Sequence, residues 1–219
     1  MTSSFPHHQE IFMKRIIVLV FGFTFLVSMS HAAVGFGGGA QAGISISSFP
    51  KAISDGYGMG FGFGAHGDVN IIKFLTLRLN FDYHIFPSKK DKIRDDLAAA
   101  NAVNASDITV EGLNANIVGI TVNGIAKLPT GSSVTPYGLL GFGMHIASVS
   151  DLKVTYQGQP VTVTGTSGLG SDTNFGMNFG AGSEFGLGNV KLYFEVEYVL
   201  IFSSGSSTGH IPITVGVTI

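Results

Sequence analysis

The sequence predicts an all-β protein, an eight-stranded antiparallel transmembrane up-and-down β-barrel preceded by a signal peptide. Three observations lead there. Apolar side chains alternate with small or polar ones over eight segments that follow residue 33. Only 12% of the chain is charged while 45% is hydrophobic. Short and long connections between the segments alternate. Average domains carry about 25% charged residues, and soluble surfaces need about 25–35%. The deficit, with a mean hydropathy of +0.38, argues against a soluble enzyme of ordinary composition. It equally argues against disorder, which requires low hydrophobicity and high net charge. A formal charge of −2 leaves no basic footprint for nucleic acid. Without cysteine there is no disulfide, no thiolate nucleophile and no Cys-ligated metal.

The first element is an address. Lys14 and Arg15 precede an uncharged run from Ile16 to Met29, and Ser30-His31-Ala32 supplies small residues at −3 and −1 before Ala33. A basic start, a short apolar stretch and a small-residue cleavage site make a secretory signal peptide. A spanning helix needs about 20 apolar residues, and Gly-rich sequence follows too soon. The expected organisation is therefore residues 1–32 as signal peptide, with Met13 as an alternative start, and 33–219 as barrel. No further domain is expected after the barrel.

The strands follow in order. Expected spans are 34–46, 57–71, 74–86, 115–127, 135–149, 172–187, 190–202 and 210–219. Period two is clearest in the third, where Leu75, Leu77, Leu79, Phe81, Tyr83 and Ile85 oppose Thr76, Arg78, Asn80, Asp82 and His84. The second sets Tyr57, Met59, Phe61 and Phe63 against glycines, and the seventh sets Leu192, Phe194, Val196, Tyr198 and Leu200 against Lys191, Tyr193, Glu195 and Glu197. The last carries Ile211, Ile213, Val215, Val217 and Ile219 on one face. A tilted membrane strand needs about 9–11 residues, and bacterial single-chain barrels have an even strand number. A soluble lipocalin-like barrel alternates too, but its polar face must meet water. Here that face is mostly Gly, Asn and Thr, whereas the Phe-rich face suits lipid.

The connections sort by length. Ile72-Lys73, Pro129–Ser133 and Gly188-Asn189 are short; 47–56, 87–114, 150–171 and 203–209 are longer. Short periplasmic turns and long extracellular loops are the arrangement of outer-membrane barrels. With no spanning helix after the signal peptide, a closed barrel is what satisfies every backbone polar group in a bilayer.

Pro136-Tyr137-Gly138-Leu139-Leu140-Gly141-Phe142-Gly143 resembles the "PY-x-x-x-G-x-G" strand of the small outer-membrane β-barrel proteins of Gram-negative bacteria. Gly180-Ala181-Gly182-Ser183-Glu184-Phe185 resembles their "GAG-x-E" strand, and Ile211–Val217 their closing strand. The resemblance covers essentially the whole mature chain and implies fold and location rather than activity. It implies outer-membrane lipid and the barrel-assembly machinery as partners. Barrels of this kind commonly end in Phe where this chain has Ile219, an apolar residue on the same outward face.

The inward face supplies the candidate site. Arg78, Asn80, Asp82, His84, Glu184, Lys191, Glu195 and Glu197 are expected to form a polar network in the lumen, with Lys127 and His145 beside them. The turn between the second and third strands would set Gly60, Gly62 and Gly64 opposite Asp82, Asn80 and Arg78, small residues making room for large ones. The next-to-last turn would bring Glu184 beside Tyr193 with Lys191 diagonal to it. An eight-stranded lumen is just wide enough for side chains to fill it, so the network reads as a plug of ion pairs in preference to a pathway for small solutes. Glu195 and Glu197 resemble a catalytic carboxylate pair, but a filled lumen has no cleft. His66, His84 and His145 would sit at different heights, which argues against a metal site. His145 and Ser148 fall on opposite strand faces, so no His–Ser nucleophile forms. Gly35-Phe36-Gly37-Gly38-Gly39 opens a strand and not a helix, so it is no phosphate loop.

The loops complete the reading. Ser88 is expected to cap a short helix over about 89–102, carrying Lys89, Lys90, Lys92 and Arg94 as a possible lipopolysaccharide contact. Residues 152–156 and 161–164 around Gln157-Gly158-Gln159-Pro160 read as a hairpin that prolongs the fifth and sixth strands and offers a surface to a protein partner. The expected role is non-enzymatic, structural or surface-interacting, in a monomer of the cell outer membrane without catalytic residues, cofactor or metal. The alternative is a narrow channel for small solutes or ions; a lipid-modifying enzyme is the weakest reading.

Overall fold

The computed structural model describes residues 35–50, 55–161, 171–204 and 207–219. The expected signal peptide, residues 1–32, lies outside them, as do residues 162–164 of the expected hairpin. Eight long strands close into one barrel: β1 (Gly35–Phe49), β2 (Gly60–Ile72), β3 (Leu75–Phe86), β5 (Ala115–Lys127), β6 (Val134–Val149), β9 (Asp172–Leu187), β10 (Val190–Phe202) and β11 (Ser207–Thr218). Each pairs antiparallel with its neighbours in the ring, and β1 closes on β11 with Ile44 facing Ile213. Backbone bonds between Gly38 and Ile219, 3.1 and 2.9 Å long, seal the last residue into the seam. The protein is thus an eight-stranded up-and-down β-barrel, as its alternation predicts.

The alternation runs apolar-out. Phe81, Phe142 and Leu140 are 52%, 58% and 60% exposed, while Arg78 and Glu195, on the inward face, are 1% and 0% exposed. A water-soluble barrel would invert this order. Burying a Leu or Phe side chain is worth roughly 1.5–3 kcal/mol, so such a band is stable only against hydrocarbon. No helix of the described residues is long and apolar enough to cross a membrane.

Several boundaries differ from the sequence reading. β2 begins at Gly60, because Tyr57 bridges Ser88 instead of the strand. Burial pushes the Tyr57 phenol above its ordinary range. The β2–β3 turn falls at Lys73-Phe74, after an irregularity between Asn70 and Ile72, and Thr76 Oγ1 donates to Asn70 Oδ1 at 2.7 Å beside it. Gly64 consequently faces Asp82 and Gly62 faces His84, where Arg78 and Asn80 were expected. The observed pairing is thus four residues out of step with the expected one along the whole of both strands.

The two long loops at the far end from the termini build one folded cap. The first carries helix α1 (Lys90–Asn101), a 3₁₀ turn (Ala105–Asp107) and β4 (Ile108–Glu111); the second carries β7 (Lys153–Tyr156) and β8 (Gln159–Val161). Ser88 does not cap α1: its hydroxyl donates to the Gly112 carbonyl at 2.9 Å, and the helix begins at Lys90. The hairpin does not prolong β6 and β9, the fifth and sixth strands of the barrel. It pairs β7 with β4 in a separate sheet of order β4-β7-β8. Its turn is Gln157-Gly158, both at positive φ, as a two-residue hairpin turn of this hand requires. Ala98, Ile108, Val110 and Val154 form the buried core of this cap, with Ile93, Leu97 and Leu152 packed on it.

Candidate functional site

The lumen is filled in layers, and glycines make the space. A Cβ on Gly62 would meet His84, one on Gly64 would meet Asp82, and one on Gly182 would meet the Tyr137 ring. His84, Asp82 and Tyr137 each therefore lie across a neighbouring strand that carries no side chain there.

At the mouth that carries the chain's last strand end, Lys127 Nζ lies 2.7 Å from Glu184 Oε1, and Lys191 Nζ 3.8 Å from Glu184 Oε2. Glu184 faces Tyr193 across the strand pair. Ile125, Tyr137 and Leu139 pack as an apolar layer on the same inward side. Above them Arg78 bridges the barrel. Its Nε donates to Asp68 Oδ1 at 2.8 Å, Nη2 to Asp68 Oδ2 at 3.3 Å and Nη1 to Glu195 Oε2 at 3.4 Å. The guanidinium also lies 4.9 Å from the centroid of the Tyr193 ring. Arg78 is on β3 and Glu195 on β10, four strands apart whichever way the ring is followed. This ion pair spans the full diameter of the lumen.

Other bonds tie the remaining strands across the axis. Tyr137 O–H donates to Glu195 Oε2 at 2.7 Å. Tyr193 O–H donates to Gln41 Oε1, and Gln41 Nε2 donates to Asp82 Oδ1. His66 Nε2 is 3.0 Å from Thr218 Oγ1. Asn178 Nδ2 donates to Asn123 Oδ1 at 3.0 Å and to Glu197 Oε2. Asn80 is buried in the same layer system, opposite His66.

The structure corrects the placement of the histidines. His66 lies with Tyr193, but His84 and His145 line one small chamber together with His210, Asp82 and Glu197. The ring centroids of His84 and His210 are 5.1 Å apart. Strand tilt brings these positions to one height although their offsets along the strands differ. No group of three or more His, Asp or Glu side chains among the described residues is arranged to hold a metal ion.

Sequence reasoning missed Asp68, Gln41, Tyr137 and His210. Each lies on the inward parity of its strand, so counting by two from the glycines would have found all of them. On the cap, Lys90 and Lys92 are exposed, whereas Arg94 is engaged by Asp91 at 3.2 Å and Asp95 at 2.8 Å.

Comparison with known proteins agrees with this geometry. Residues 18–218 match the family described as outer membrane protein beta-barrel domain. No curated protein matches. Among solved structures, Neisserial surface protein A is 16% identical with a TM-score of 0.57, over 85% of this chain and 98% of that one. The attachment invasion locus protein Ail of Yersinia pestis is 16% identical, TM-score 0.43, over 84% and 98%. The N-terminal β-barrel domain of Pseudomonas aeruginosa OprF is 10% identical, TM-score 0.44, over 84% and 97%. The lipid-facing band, the closed eight-stranded ring and the family match together make this chain a small outer-membrane β-barrel protein, a member of the outer membrane protein beta-barrel domain family.

Proposed function

We propose that the protein is a non-enzymatic, monomeric surface barrel, exported by the leader 1–32, whose lumen is a structural plug and whose extracellular cap makes the functional contacts. The observation that carries this reading is the cap: two loops far apart in sequence fold into one sheet and helix with a shared core. Loops that only connect strands gain nothing from such a core, whereas a recognition surface gains preorganisation. The plug reading rests on Arg78, which joins opposite walls through Asp68 and Glu195. Its carboxylate partners leave no open lane for solute at that level. The contacts would be to a surface protein, or to lipopolysaccharide through Lys89, Lys90, Lys92 and Arg94; assembly would pass through the barrel-assembly machinery.

Single-channel conductance of refolded 33–219 in a planar bilayer tests it. A silent bilayer, with insertion confirmed by protease protection, is expected. Steady openings whose amplitude changes on Arg78 or Glu195 substitution would overturn the plug and make the protein a narrow channel.

A further inference from the structure

Above the Arg78 bridge the layered side chains leave space between them. A cavity of about 150 Å³ opens there toward the extracellular end, walled by Tyr57, Phe86, Ile117, Ala147 and Val149 with His210 at its base. An apolar cavity of about this volume is large enough to hold benzene. Below it lies a chamber of about 20 Å³, room for about one water-sized group. His210 borders both spaces.

The chamber differs in charge from the rest of the lumen. Asp68 and Glu195 share Arg78, and Glu184 holds Lys127 and Lys191. Asp82 and Glu197 have no such cation: Asp82 is bonded by the Gln41 amide, Glu197 by the Asn178 amide and the Glu195 side chain, and no Lys or Arg among the described residues forms an ion pair with either. Buried carboxylates without a cation are costly. Around them His84 Nδ1, His145 Nε2, His210 Nε2 and Asn178 Oδ1 have no hydrogen-bond partner. His210 is only 3% exposed, and its ring is held edge-on between Phe86 at 5.6 Å and His84. A ring nitrogen in its neutral acceptor form, an amide oxygen and two carboxylates are all acceptors. An ammonium group offers three donors and one positive charge.

We propose that the extracellular half of the lumen is a binding site for a small primary amine with a benzene-sized apolar body. The body occupies the cavity among Phe86, Ile117 and Ala147, and the ammonium points past His210 toward Glu197 and Asp82. The Arg78 bridge closes the site from below, so the ligand enters and leaves by the extracellular face. A carboxylate ligand is disfavoured, because its charge would meet Asp82 and Glu197 and no free cation.

Benzylamine and benzyl alcohol are suitable probes, titrated into refolded 33–219 in one detergent and followed by protein NMR shifts of the His84, His145 and His210 imidazoles. Saturable benzylamine shifts are expected, at least tenfold tighter than for benzyl alcohol. Ala147→Phe, which fills the cavity without touching the charges, should abolish them. Glu197→Gln should weaken benzylamine at least tenfold and leave benzyl alcohol unchanged. Asp82→Asn serves as the second charge variant if Glu197→Gln fails to give the heat-modifiable folded band. Equal binding of the two probes, insensitivity to both charge variants, or no saturation by millimolar benzylamine would each overturn the proposal.

Discussion

Arg78→Ala would strand two carboxylates at the centre of the barrel. Asp68 and Glu195 approach opposite ends of the guanidinium at 2.8 and 3.4 Å, and all three side chains are at most 3% exposed. Removing one partner of a buried ion pair typically costs about 3–5 kcal/mol, because the remaining charge stays desolvated. The cation–π contact with Tyr193 adds up to about 2 kcal/mol when desolvated. Water entering the vacated space returns part of this, so a net loss of about 3–5 kcal/mol is expected. With a urea slope of about 2 kcal/mol per molar, the midpoint should fall by about 2 M. The assay is urea unfolding of the barrel in phospholipid vesicles, followed by circular dichroism, since the chain has no Trp. The triple variant Arg78→Met, Asp68→Asn, Glu195→Gln removes the stranded charges and should recover most of the loss. A midpoint for Arg78→Ala within about 0.3 M of wild type, with no conductance gained, would refute the account of the lumen as an ion-paired plug.

Two further outcomes follow from the outer face and the cap. Phe142→Arg, mid-strand on the lipid face, should cost about 2–4 kcal/mol, whereas Leu128→Arg just past the end of β5 should cost about 0–1 kcal/mol; equal losses in vesicle unfolding would contradict the membrane placement. Val110→Asp buries a charge in the core of the cap and should admit protease between residues 87 and 114 while the heat-modifiable barrel band persists; unchanged protection would mean that the cap is not one packed unit.

Leu77, Leu79 and Phe81 against Arg78, Asn80 and Asp82 already define which face of β3 meets lipid, because a strand's side-chain period is two and admits only two assignments. Lys191, Glu195 and Glu197 were placed inward by the same count. The loops were harder. Val154 falls in the expected hairpin while the segment around Val110 carries no strand assignment, since nothing local in either one specifies the other as its partner.

Strand number, strand faces, the lipid-facing band and the sorting of turns from loops were determined by the sequence alone, because alternation and turn composition are local properties that the bilayer converts directly into a closed sheet. Register was decided only by the tertiary structure. A change of register between β2 and β3 leaves the local sequence signals of both strands intact, yet it exchanges Gly64 for Asp68 as the residue facing Arg78. The gathering of His84, His145 and His210 into one chamber depends likewise on strand tilt around the whole ring. Contacts across the lumen join residues as far apart as Gln41 and Tyr193, and no window of sequence contains both.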